Sequence, residues 1–229
     1  MYPGWYPGWG GGENWYGVDW WQSVAPFAQA PVNLLVVPPT EEPLTLQQGK
    51  LRAGLDWADG DPRDDLMKGF ISVARERVEH DSGRALLTQT RRVSYDVLQR
   101  PVIELPALAR PVQQVTAITT TDFYGVDAII DPSLYVVDLE AGRIYFSWPG
   151  ARVYWNLRPF KAWQIDVIVG RVDAADLLAR DPSLVHAVGM LTAHYATTAR
   201  DVAIVGTIVQ KTPLGYEYLL EPYQSVTVA

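Results

Sequence analysis

Cysteine is missing from all 229 residues. Its absence removes disulfides, thiolate metal ligands and cysteine nucleophiles together. Histidine is scarce, with three in all: His80, His186 and His194. The last two lie eight residues apart, too far for a metal-binding pair one helical turn apart, and no HExxH pattern frames them. No GxSxG elbow marks a serine nucleophile. The glycines of "GWGGG" precede no Lys-Ser or Lys-Thr pair, so a phosphate loop is excluded. The most apolar run near the start, "VNLLVV" at Val32–Val37, is far shorter than the roughly 20 residues a membrane-spanning helix needs. The start also lacks a basic stretch followed by an apolar one, the mark of a signal peptide. These absences predict a soluble chain, made in the cytoplasm of its host, with no membrane anchor, cofactor, metal or catalytic site.

Positive charge is in short supply too. Lys and Arg number 19 against 26 Asp and Glu, for a net charge of -7, and residues 1–49 contain no Lys or Arg. Such a chain does not grip nucleic-acid phosphates, although it suits a wall past which DNA slides. The acids Asp59, Asp61, Asp64 and Asp65 cluster, but a calcium loop fails on count. From Asp59 the fifth position is Arg63 and the twelfth is Phe70. The cluster reads as a helix cap with charges set against the helix dipole.

What the chain has in excess is aromatic side chains at its start. "YPGWYPGWGGGENWYGVDWW" holds Trp5, Trp9, Trp15, Trp20 and Trp21, five of nine tryptophans. Gly and Pro between them rule out regular structure. Residues 1–50 are expected to be an extended arm, with a short strand at Leu34–Val37. Flexible tails carry few aromatics. These rings are therefore assigned to contacts with a neighbouring subunit or another tail protein, where Trp and Tyr are favoured anchors. A glycan-binding tail protein, using the same rings as sugar platforms, is the alternative.

Residues 51–212 carry the pattern of an α+β domain. Asp61 as N-cap, Pro62 at the first helical position, and Asp64 and Asp65 in the first turn open a helix. Leu66, Phe70, Val73, Ala74 and Val78 supply its predicted buried face, and Gly83 its stop. "RRVSYDVL" reads as a strand or a short helix. Residues 101–172 are β-rich: "PVQQVTAITTTD", a turn at Asp122–Gly125, "AIIDPSLYVVD" and "GRIYFSWPG". "AWQIDVIVG" alternates, with Trp163, Ile165 and Val167 on one face. Arg143, Arg152, Arg158 and Lys161 form a basic group suited to an acidic partner. Residues 173–201 return to helix, with Asp181-Pro182 as a start signal and Leu184, Val188, Leu191 and Tyr195 at helical spacing. Residues 213–229 read as a C-terminal arm ending in "SVTVA", a strand with no partner in the chain.

The order of these pieces resembles phage head–tail connector (adaptor) proteins. "DDLMKGFISVARERVEHDSGRALLTQT" is similar to that family's opening helix and the "TGR.L..QT" stretch after it. "IELPALARPVQQVTAITTTDFYG" is similar to its "I.LP..PV..VTSI.Y.D..G" hairpin region. "YVVD", "GRIYFSWPG" and "IDVIVG" match the strands that follow, and "DPSLVHAVGMLTAHYATTAR" the closing helix. "TPLGYEYLLEPYQSVTV" resembles the "LP.GV..LL.PYR" ending. Two departures are "ATTAR" for the usual "YENRE", and Gln224 where Arg is common. The resemblance spans about residues 51–229 and leaves the aromatic arm unaddressed.

The resemblance implies an α+β fold, a small helical bundle with an inserted antiparallel β-hairpin and sheet region and an extended C-terminal arm, to which the Gly- and Pro-rich start adds a long extended N-terminal arm. It implies a structural role in the virion, at the head–tail junction. There such proteins form a homo-oligomeric ring, typically a dodecamer, beneath the portal protein, with DNA passing through without sequence-specific binding. A downstream tail or nozzle protein, or a tail fibre, would be the further partner. The C-terminal arm would reach the portal through Tyr216, Leu219, Leu220, Pro222, Tyr223, Val226 and Val228. A strand such as "SVTVA" can add to a sheet edge on another chain.

Overall fold

The computed structural model describes residues 31–96, 102–147, 157–201 and 214–223. Strand β1, Val32–Val37, stands between Pro31 and Pro38, which fix its length because neither offers an amide donor. Helix α1, Leu46–Arg52, opens with a reciprocal cap: Thr45 Oγ1 accepts from the Gln48 amide and Gln48 Oε1 from the Thr45 amide. Helix α2, Arg63–Ser82, begins one residue after the predicted position. The Asp61 carboxylate still accepts the Arg63 backbone N–H at 2.9 Å and grips the Arg63 guanidinium. Gly83 ends α2 at φ 65°, its N–H reaching the Glu79 and His80 carbonyls.

The eight strands among the described residues form two sheets. Strands β1, β2 (Gln89–Tyr95), β8 (Trp163–Val169), β4 (Val112–Thr121) and β5 (Asp127–Ile129) form one antiparallel sheet in the order β1-β2-β8-β4-β5. Strands β3 (Val102–Glu104), β7 (Arg143–Phe146) and β6 (Tyr135–Asp138) form a second, in the order β3-β7-β6. The register aligns Val93, Ile165 and Ile118 across three strands of the large sheet. All three are buried and meet Ile103, Ile144 and Phe146 of the small sheet in one core. Alternation in β8 is complete, with Trp163, Ile165, Val167 and Val169 inward. Of "RRVSYDVL", residues 91–95 lie in strand β2 and the last two residues fall outside the described residues, and "AIIDPSLYVVD" splits between the two sheets. The break falls at Asp131-Pro132, where the Asp131 carboxylate accepts the Ser133 N–H and a 3-10 turn redirects the chain.

Helices make the second core. Helix α3, Ala174–Arg180, is capped by Asp173. Helix α4, Pro182–Asp201, buries Leu184, Val188 and Leu191, as its spacing predicts. Asp181 does not cap α4 through its side chain; that carboxylate holds Arg171 at 2.7 Å. Helix α5, Leu214–Leu220, and a 3-10 turn at Glu221–Tyr223 complete the described chain.

The predicted buried face of α2 needs correction. Only Ala74 and Val78 of the five expected residues are buried, whereas Leu66 and Val73 are exposed and Phe70 is half-buried. The inward face runs through Met67, Ile71, Ala74, Arg75, Val78 and Glu79. The helix carries two apolar rows about one residue out of phase. The row containing charged residues won because Arg75 and Glu79 satisfy each other and the β2 segment inside the protein. The body also starts before residue 51, because β1 pairs with β2 and Leu44 joins the helical core. It extends past residue 212, because α5 packs on α4 and α2.

Two substitutions test this packing. Ile165→Ala should cost about 2–5 kcal/mol in urea unfolding, the usual loss for a fully buried large aliphatic. Gly170→Ala should lower the melting temperature strongly, since Gly170 sits at φ 95° with the Leu87 carbonyl where a Cβ would go.

Candidate functional site

The acidic cluster is a structural corner. Asp64 accepts from Trp57 Nε1 and the Gly60 amide at 2.7 Å each, and lies 2.7 Å from Lys50 Nζ. Lys50 also donates to Asp59 at 3.0 Å. The Arg63 guanidinium lies over the Trp57 ring, 4.4 Å from its centre. The Lys50 ammonium, followed by the Trp57 N–H, pulls the Asp64 carboxyl down to about 2. Among the described residues no group of three or more His, Asp or Glu could hold a metal ion.

The histidines do not converge either. His80 is exposed beside Asp81, His186 lies 3.1 Å from Arg52, and His194 contacts Thr198 one turn away on α4. No helix among the described residues is long and apolar enough to cross a membrane. What the described surface does offer is apolar area on three features.

The first is β1. Five of its six residues are exposed and apolar, Leu34 at 51%, and its outer edge pairs with no strand among the described residues. Asn33, the second residue of the strand, has both side-chain amide atoms buried without a hydrogen-bond partner. The second is the far edge of the same sheet. In β5 Ile129 is 76% exposed, and at the β4–β5 turn Phe123 and Tyr124 are exposed and meet edge to face at 6.1 Å. That turn is rigid: the Asp122 carboxylate accepts the Tyr124 and Val126 amides, and Gly125 stands at φ 84°. The third is the outer row of α2, where Leu66 and Phe70 join Leu55 and Trp57 around a shallow cleft of about 130 Å³.

The sequence-predicted contact residues distribute unevenly. Trp5, Trp9, Trp15, Trp20 and Trp21 lie outside the described residues, as do Val226 and Val228. Tyr216 and Leu220, expected on a docking arm, are instead only 3% and 1% exposed, in this chain's own helical core. Tyr216 Oη donates to Asp81 at 2.9 Å, and burial followed by this bond pushes the phenol well above its usual range. Leu219 and Tyr223 are half-buried against the same core, Tyr223 beneath the Arg84 guanidinium. Pro222 is exposed. Tyr216 and Leu220, one turn apart, put the apolar face of the segment's helix into the helical core beside α4. Of the basic group, Arg158 and Lys161 come together, with Arg158 Nη2 donating to the Lys161 carbonyl at 2.7 Å. Arg143 pairs with Glu104 instead, and Arg152 lies outside the described residues. The sheet-edge patches escaped sequence reasoning, because edge position depends on strand order and not on local pattern.

No protein-family model and no curated protein matches the chain. Solved structures do. The chain is similar to one in the virion of a native gene transfer agent (GTA) particle, at TM-score 0.65 and 20% identity, covering 86% of this chain and 97% of that one. It is similar to a chain in the neck of an empty GTA particle computed with C6 symmetry, at TM-score 0.65, 22% identity, and 88% and 98% coverage. A chain in the neck of the native GTA particle computed with C12 symmetry gives TM-score 0.58, 21% identity, and the same 88% and 98%. The likeness establishes a shared fold across nearly the whole of each chain.

The corner predicts a pH signature. Asp64 titrates below its unfolded value, so its stabilisation is complete above about pH 4 and fades as pH falls toward 2. Asp64→Asn should lower the urea midpoint at pH 7. It should also flatten the further loss that the unmodified protein shows between pH 4 and 2.

Proposed function

We propose that the chain is a structural head-to-tail adaptor of a tailed phage or phage-like virion, not an enzyme. Its subunits form a ring, a dodecamer on the family pattern, that joins the portal protein to a downstream tail or nozzle protein and leaves a channel for DNA. The observation that carries this reading is the fold shared over almost the full length with chains of GTA neck structures computed with C6 and C12 symmetry. The apolar strips at both edges of the large sheet support it, since ring subunits need two contact surfaces each.

Within this reading, α5 and the following turn are the root of the portal-docking arm. Tyr216 and Leu220 fix that root to the body, while Pro222, Val226 and Val228 belong to the part that engages the portal. The aromatic arm, with Trp5, Trp9, Trp15, Trp20 and Trp21, straps onto a neighbouring subunit, the nozzle or a fibre. Burying one such ring contributes on the order of 2–3 kcal/mol before ordering costs, so several hold an extended segment. The net charge of -7 suits a channel that does not retain DNA.

Native mass spectrometry of the chain, alone and mixed with its cognate portal, tests the proposal. A ring, preformed or assembled on the portal, is the expected result; a chain that stays monomeric and ignores the portal overturns it. Deleting Ser225–Ala229 should abolish portal binding and leave the melting temperature unchanged.

A further inference from the structure

Among the described residues the large sheet has two open edges: β1 is apolar, and β5 sets an exposed Ile129 beside one acid, Asp127. β1 presents Leu34, Leu35, Val36 and Val37 with no charged residue in the strand, and the β4–β5 hairpin presents Ile129, Phe123 and Tyr124. Soluble proteins ordinarily protect a sheet edge with lysine, proline or a covering segment. Here the prolines stand only before and after β1, and nothing among the described residues covers its outer side. A six-residue, uncharged, β-branched edge is a sticky surface unless the assembled state uses it.

Position decides the partner. β1 and β5 are the first and last strands of a five-strand order, so four inter-strand steps separate them, about 19 Å at the usual spacing. Two unlike surfaces on opposite flanks of one subunit are what a head-to-tail contact requires. Pairing β1 with β1 of another copy would close a symmetric dimer and leave both β5 edges open. On the strength of the ring reading above, we infer that the β1 edge of each copy receives the β5 edge of the next, joining the large sheets around the ring. The free backbone groups of Asp127–Ile129 pair with those of β1, while Ile129, Phe123 and Tyr124 cover its apolar side chains. The Asp122 bonds that stiffen the hairpin hold Phe123 and Tyr124 in place before contact, which lowers the ordering cost of association.

Two full-length variants test this contact, Leu34→Glu with Leu35→Glu on β1, and Tyr124→Glu with Ile129→Glu on the hairpin. All four positions are at least 45% exposed, so circular dichroism and melting temperature should match the unmodified chain. In native mass spectra, alone and with the portal, each variant should lose at least tenfold of the ring population. Mixed together, the two variants keep one intact contact between them and should form a one-to-one heterodimer. Rings that persist in both variants, or a hairpin variant that dimerises through β1, overturn the inference while the adaptor reading stands. An unmodified chain that never assembles, alone or on the portal, overturns both. If a variant misfolds, amide hydrogen exchange on the unmodified chain decides. The Val32–Val37 and Asp127–Ile129 amides must gain protection on assembly, and unchanged exchange at either segment overturns the contact.

Discussion

The protein turns on one buried carboxylate. Glu79 lies in the last turns of α2 and accepts the Leu86 amide at 2.9 Å, Gln89 Nε2 at 2.8 Å and Arg75 Nη1 at 3.2 Å. Those three donors belong to the helix, to the turn after it and to the start of β2, so one side chain joins the helical core to the sheet. Burial pushes its pKa up, against the Leu86 N–H and the Arg75 guanidinium, which favour the charged form. Arg75 in turn reaches Glu42, which ties the chain ahead of α1 to the same point. A buried charge with several directed partners fixes geometry more than it adds stability, because its desolvation cost offsets much of the attraction. Here the geometry it fixes is the angle at which a long helix leaves a sheet.

That constraint explains which apolar row of α2 faces inward. Leu66, Phe70 and Val73 make an acceptable core stripe by spacing, and so do Met67, Ile71, Ala74 and Val78. Placing Arg75 and Glu79 beside β2 selects the second row and leaves the first outside. The cost is an exposed apolar strip, and the same trade recurs at both edges of the large sheet. Within the proposed ring the two sheet-edge strips are its contact surfaces, and their separate flanks are consistent with a head-to-tail arrangement.

The C-terminal segment shows how one motif serves two ends. Tyr216 and Leu220 anchor a short helix to α2 and α4, with the Tyr216–Asp81 hydrogen bond fixing its position. An arm that docks at a distance gains from such a root, because fewer freely moving residues must be ordered when its tip binds. At the N-terminal side of the body β1 pairs with β2, and Leu44 just ahead of α1 joins the helical core.

Local pattern in the sequence determined much of this. The α+β class, the Gly83 stop of α2, the inward face of β8 and the inward face of α4 all follow from spacing, turn residues and caps, which act within a few residues of one another. The lack of cysteine excluded thiolate chemistry outright, whereas the acidic cluster was legible only in part: Asp61 accepts the Arg63 N–H at the helix start, but Pro62 stands at the N-cap and Asp64 binds Lys50, Trp57 and the Gly60 amide. Tertiary structure alone decided three things. It chose the inward row of α2 through Glu79, whose partners lie up to ten residues away. It drew Tyr216 and Leu220 into the core, because the gap they fill exists only once α2 and α4 have packed. It left β1 and β5 as edges, because strand order is set by pairings between segments as far apart as β2 and β8. Spacing reports which side chains share a face, and only packing reports what that face meets.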